Sequence, residues 1–316
     1  MKEIFFYPIV AIIILKLSGF VGKFIGEYEK VSSFSMKEEY PAFNAVYRIL
    51  FPVVAVFIMG SAFSYFGYFL PHLWLIPIYF CVLKFIFIYV MDRSELANFK
   101  YILFTSITTV LISSFVFEIS SSDNNFFIPQ KNDLVSQFWI MVILFSYKIF
   151  DNMRIRGNSS TQKKERLEKY IKMKICRYID LYKCDIVKVT TDITIIKIII
   201  SIMIVEDFNR PNAVRIIERK FPFICKTTGI MQITSGRPLS DKESVTMGSE
   251  LIKKYYNDTK KEERADYTSD FIIARKVALK YNNSEDYAEM VREAFGYVNN
   301  SENESFFKSD SSNRWI

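Results

Sequence analysis

The 316-residue chain contains a single histidine, His72. Any Ser-His-Asp or Cys-His nucleophile would have to use it, and a zinc site with two or more histidines is excluded. The ten glycines form neither G-x-G-x-x-G nor G-x-x-x-x-G-K-[ST], so the chain has no dinucleotide fingerprint and no phosphate-cradling loop. Cys81, Cys176, Cys184 and Cys225 show no C-x-x-C spacing. Cys81 lies in an apolar run, where a free thiol packs as a small hydrophobe, and a Cys176–Cys184 bridge stays open beside free thiols. The chemistry left to this chain rests on carboxylates, amides and tyrosines, and no cofactor or metal is expected.

Apolar residues are abundant and unevenly spread: half the chain is hydrophobic and 16% aromatic. Ile4–Val21 is broken only by Lys16, Ile49–Leu70 carries no charge, Leu73–Met91 is interrupted by Lys84, Tyr101–Phe117 is uncharged, and Leu134–Phe150 carries Lys148. Runs of this length predict five membrane spans, over about 4–21, 49–70, 73–91, 101–117 and 134–150. Pro71-His72 fits a hairpin turn between the second and third. The expected fold class is all-α: an N-terminal bundle of about five transmembrane helices over 1–150, followed by a mainly helical domain. The lipid bilayer is then a partner, and self-association through the membrane half is a further expectation.

Of the net charge of +7, residues 151–190 carry +6, with 11 basic and 5 acidic residues. So local an excess reads as a basic amphipathic connector over 151–189 and not as a face for nucleic acid, which is not expected as a partner. Leu167, Tyr170, Ile171, Ile175 and Tyr178 recur at helical spacing along it. Thr190-Thr-Asp192 then offers an N-cap for Ile193–Val205, whose 13 residues include Lys197. That length favours a buried core helix over a bilayer crossing. Helical stretches follow at Asn212–Lys220, Asp241–Tyr256, Asp266–Tyr281 and Glu285–Phe295, giving a helical domain over 190–299. The Ser/Asn/Asp/Glu-rich tail, 300–316, is expected to be disordered apart from any docking by Trp315.

The apolar helix ends in Glu206-Asp207-Phe-Asn-Arg-Pro211. A carboxyl group beside such a wall is partly desolvated, which raises its pKa and lets it hold a proton near neutrality, as a general acid must. Neighbouring positions on a helix face different ways, so Asp207 is expected to point away from Glu206 and to tolerate amide replacement. Further along stand Thr227-Thr-Gly-Ile-Met-Gln-Ile233 and Tyr281-Asn282-Asn-Ser-Glu-Asp-Tyr287. Taken in order, these segments resemble the three motifs of the lysozyme-like lytic transglycosylases: E-S-x-F-x-P at the end of the catalytic helix, G-L-M-Q-I, and Y-N-x-G or Y-N-G-S with a later Tyr or Val. The resemblance covers about 190–296.

It implies a lysozyme-like fold with Glu206 as the catalytic acid/base. Gly229, Met231 and Gln232 would line a glycan cleft, and Tyr281 with Asn282 would orient the acid and hold a sugar N-acetyl group. The implied partner is the peptidoglycan glycan strand, cleaved between N-acetylmuramic acid and N-acetylglucosamine. Three departures stand out: Asp207 replaces the usual Ser, the Glu206-to-Gly229 interval is longer than usual, and Asn283-Ser284 replaces the glycine after Tyr-Asn. Two other readings stay open, a peptidoglycan glycosyltransferase and a non-enzymatic membrane effector, pore or scaffold with a glycan-binding domain. The expected location is the bacterial inner membrane. Substrate access places the catalytic domain on the periplasmic or extracellular side, whereas the positive-inside pattern of Lys23, Lys30, Lys37, Arg93 and Lys100 places it in the cytoplasm.

Overall fold

The computed structural model describes residues 2–24, 41–65, 72–122, 159–221, 227–262 and 269–300, with a few isolated positions such as Phe307. The chain divides into two compact units, Met1–Ile88 with Ala97–Lys163, and Tyr89–Leu96 with Lys164–Ile316.

The first unit is built from α1 (Lys2–Phe24), α2 (Pro41–Tyr65), α3 (Leu75–Val90) and α4 (Phe99–Ser122). Tyr7, Val10, Ala11 and Ile14 recur at helical spacing along one face of α1 and bury against Leu73, Ile76, Phe80 and Cys81. Phe51, Ala55 and Met59 of α2 and Val110 of α4 close over the same cluster. On α4, the Thr105 and Thr109 hydroxyls turn back onto the carbonyls of Tyr101 and Thr105, at 3.0 and 2.7 Å.

These helices correct the expected transmembrane bundle. Among the described residues no helix is long and apolar enough to cross a membrane. Four of the five predicted spans fall on α1 to α4, and the fifth, 134–150, lies almost wholly outside the described residues. At 1.5 Å per residue the 16 residues of α3 reach only ~24 Å, against the ~30 Å of a bilayer's hydrocarbon core. In α1, part of the apolar run is spent on a protein core, and α4 places Thr105, Ser106, Thr109 and Ser113 in buried positions. Run length records how many apolar residues there are and not which of them face one another. Expected placement in the inner membrane, with either sidedness, falls with the spans that supported it.

The second unit begins with Tyr89–Leu96, including a 3₁₀ turn at Ser94–Leu96, and resumes at Lys164, within α5 (Ser159–Val187). Leu167, Tyr170, Ile171, Ile175 and Tyr178 of α5 are all buried. Next comes α6 (Ile193–Asn209), which is buried on every side from Ile195 to Phe208, as a helix apolar all round must be. The Asp192 carboxylate caps it, accepting from the Thr194 and Ile195 amides at 2.8 and 3.3 Å. Inside it, the Lys197 ammonium reaches Asn299 Oδ1 at 2.7 Å and lies 5.6 Å from the Phe307 ring.

Four further helices follow: α7 (Asn212–Lys220), α8 (Asp241–Glu262), α9 (Asp270–Tyr281) and α10 (Glu285–Val298). Between α7 and α8 lies a hairpin, β1 (Thr227–Thr228) and β2 (Ile233–Thr234), paired antiparallel with Thr227 opposite Thr234. Helices α8, α9 and α10 all pack on α6, and α10 also packs on α9. Cys81, Cys176 and Cys184 are free thiols, and Cys184 is exposed. Of the tail, Phe307 is described and buried; Trp315 lies outside the described residues.

Candidate active site

Glu206 stands in the last turn of α6 with only 7% of its surface exposed. Burial pushes its carboxyl group up from 4.5 to about 7, against the opposing pull of a Tyr287 hydrogen bond and the Arg210 charge. The Tyr287 hydroxyl, from the first turn of α10, donates to Glu206 Oε1 at 2.9 Å. Ser284 caps that helix by accepting from the Tyr287 amide, which fixes where the tyrosine enters. The Tyr281 ring, at the end of α9, stacks on Tyr287 with centroids 6.5 Å apart and planes 14° from parallel. Its hydroxyl donates to the Met231 carbonyl in the hairpin turn.

The hairpin turn is held from beneath by α8. Gly229 has φ +74°, and a Cβ there would fall on the Ser244 side chain, so only glycine fits both the backbone and the space. Ser244 Oγ accepts from the Met231 amide at 2.8 Å, and the Met231 side chain is fully buried over Gly248. Gln232 also has a positive φ, +50°. Its amide donates to the Gly229 carbonyl at 2.9 Å, while its oxygen accepts from Thr227 Oγ1 at 3.0 Å and from Arg210 Nη1.

Arg210 follows α6 and donates its backbone N–H to the Glu206 carbonyl at 2.7 Å. Besides Gln232, its Nη1 reaches Glu218 Oε1 of α7 at 3.2 Å and Thr227 Oγ1 at 3.1 Å. One guanidinium nitrogen thus ties the end of α6 to α7 and to the hairpin.

Asp207 faces the other way and is almost wholly buried among cations. Lys174 Nζ of α5 lies 2.5 Å from its Oδ2, Arg215 of α7 pairs with Oδ1, and the Tyr178 hydroxyl donates to Oδ2 at 2.9 Å. Lys174, itself fully buried, also reaches Asp92 at 2.7 Å. Burial pushes the Asp207 carboxyl up, but Lys174 and Arg215 outweigh it and hold the group below the usual carboxylate range. The two neighbouring acids therefore have opposite characters, with Glu206 protonated near neutrality and Asp207 ionised. Such separation of adjacent carboxylates is how one site keeps an acid and a fixed charge side by side.

The structure thus gathers Glu206, Tyr281, Met231 and Gln232 around one helix end, with Gly229 shaping the turn beneath. Asn282 is exposed at the end of α9 and makes no side-chain hydrogen bond to this group among the described residues. Sequence reading did not single out Tyr287, Arg210 or the Lys174–Asp207–Arg215 cluster. For Lys174 a signal existed, since it lies seven residues after Leu167 and four before Tyr178, on the buried stripe of α5.

Comparison of the chain with family models, with curated proteins and with solved structures found no match.

Proposed function

We propose that the second unit cleaves peptidoglycan glycan strands as a lytic transglycosylase, with Glu206 as the single acid/base. The observation that carries this reading is a protonatable Glu206 at the buried end of α6, hydrogen-bonded by Tyr287, beside two carboxylates that are tied to cations. Asp207 is held by Lys174 and Arg215, and Glu218 by Arg210. Neither supplies a loose second carboxylate, which a two-acid glycosidase sets roughly 5–9.5 Å from the first across the bond.

In the proposed reaction the Glu206 carboxylic acid donates its proton to the glycosidic oxygen between N-acetylmuramic acid and N-acetylglucosamine, and that C–O bond breaks. The carboxylate left behind accepts the proton of the muramic acid C6 hydroxyl as that oxygen bonds to C1. A 1,6-anhydro ring forms, no water is consumed, and Glu206 ends protonated as it began. The Tyr287 hydrogen bond favours the carboxylate at the moment it forms. A group poised near 7 can both give and recover a proton at neutral pH.

Purified peptidoglycan incubated with the full chain and with Glu206→Gln tests the reading. The unmodified chain should release 1,6-anhydro-muropeptides, detected by mass spectrometry, and the variant should be slower by roughly 10²–10⁴-fold. Products with free reducing ends would mean hydrolysis. An equal rate in both chains would remove Glu206 from the chemistry.

A further inference from the structure

We infer that Arg210 recognises a carboxylate on the substrate, so that the preferred strand is one whose muramic acid lactyl groups are free of peptide. The inference rests on the glycan reading above and adds the substrate class.

Arg210 is held in place before any ligand arrives. Its Nη1 takes three acceptors, Glu218, Thr227 and Gln232, on two separate elements. Among the described residues these are the only hydrogen bonds of the guanidinium, and the edge formed by Nε and Nη2 has no partner among them. The side chain is 39% exposed, whereas its partner Glu218 is 8% exposed. An arginine whose role was solely to brace the hairpin would be satisfied by the contacts at Nη1. The open edge is the side of a guanidinium that binds a carboxylate through two parallel N–H···O bonds.

Position gives the ligand class. Arg210 is one helical turn beyond Glu206, and its charge acts on the Glu206 carboxyl group. A substrate reaching that acid through its glycosidic oxygen carries its next anionic group on the lactyl ether of the same muramic acid. In a peptide-bearing strand that group is an amide, which has no charge and only one oxygen. In a peptide-free strand it is a carboxylate, able to occupy both N–H groups. Glu218 offsets the charge of Arg210 from behind without occupying the open edge.

The test is binding to the full chain carrying Glu206→Gln, so that the ligand is not consumed. The probes are an alternating N-acetylglucosamine–N-acetylmuramic acid tetrasaccharide with free lactyl carboxyls, and the same sugar with those carboxyls converted to methylamides. Calorimetry should show the free acid bound about 10-fold or more tightly than the amide, the gain expected of a charge-assisted pair. Adding Arg210→Lys, which keeps the charge and loses the fork, should cut that ratio severalfold. Adding Arg210→Gln should bring it near one. Because Arg210 also braces the hairpin, the ratio measured with Arg210 intact is decisive even where these variants fold poorly. Equal binding of the two sugars overturns the inference and leaves the glycan reading standing. Binding of neither overturns both.

Discussion

The Tyr287 hydroxyl meets Glu206 Oε1 at 2.9 Å across 81 residues of sequence. A donor aimed at a carboxylate stabilises the ionised form more than the neutral one. Tyr287→Phe keeps the ring and its stacking on Tyr281 and removes only the donor. The Glu206 pKa should then rise about one unit above its present position. If the chain cleaves glycan as proposed, the basic limb of the pH profile for kcat/KM should move to higher pH by the same amount. An unmoved profile would show that the hydroxyl leaves the acid's proton affinity unchanged.

Glu206 should also make stability depend on pH in an unusual direction. Its folded pKa is raised from 4.5 to about 7, so between those values the folded chain keeps a proton that the unfolded chain releases. The contribution is complete below about 4.5 and is lost as pH rises through about 7, a change of at most ~3 kcal/mol. Urea midpoints measured at pH 5 and pH 8 should fall more for the unmodified chain than for Glu206→Gln, which has no proton to lose. A difference between the two chains that stays constant over this range would count against the raised pKa.

Asp207→Asn reverses the tolerance expected from the sequence. The side chain does point away from Glu206, but into a pocket holding Lys174 and Arg215. Neutralising it leaves Lys174 with Asp92 and Arg215 with Asp241, 3.4 Å away, as their remaining carboxylates, and a destabilisation of about 3 kcal/mol is expected, the low end for a broken buried pair. Chemical denaturation at pH 7 measures it. The double variant Asp207→Leu with Lys174→Met should be less damaged than Asp207→Leu alone, since the buried ammonium left with Asp92 as its one carboxylate partner is removed as well.

How far the sequence could be read follows from these residues. The cap at Asp192 and the buried length of α6 were legible because a mostly apolar run of 13 residues, Ile193–Val205, and a capping side chain act locally. The inward face of α5 was legible from its spacing, and the same spacing includes Lys174, which was passed over because a lysine in a basic stretch reads as solvated. The hairpin was hidden by its two-residue strands, too short to alternate. Tyr287 stands in the third motif, but its bond to Glu206 depends on how α10 packs against α6. The predicted membrane spans failed because apolar run length carries no direction, and the faces of α1, α3 and α4 that meet in a core look the same in sequence as faces meeting lipid.

Two glycines of the hairpin support separate by mechanism. At Gly229 an added Cβ falls on Ser244 and the backbone is left-handed, so Gly229→Ala should cost about 2 kcal/mol or more. At Gly248, inside α8, the backbone is not left-handed, and the added Cβ would meet the Met231 side chain, whose Cβ and Cε both lie 2.8 Å away. Gly248→Ala should therefore be milder, and Met231→Ala in the same chain should relieve part of its effect. Thermal unfolding of the three variants gives the order directly.

The segment Tyr89–Leu96 belongs to the second unit although residues of the first flank it on both sides. Asp92 within it waits for Lys174, 82 residues later in the chain, and Arg93 waits for the Phe208 carbonyl, which it bonds at 3.0 Å. During synthesis at ~5–20 residues per second, Asp92 is made some ~4–16 s before the lysine that will hold it. The unit bearing Glu206 therefore cannot be completed from one continuous stretch of nascent chain. An early-made piece must stay accessible on the ribosome until its later partners emerge.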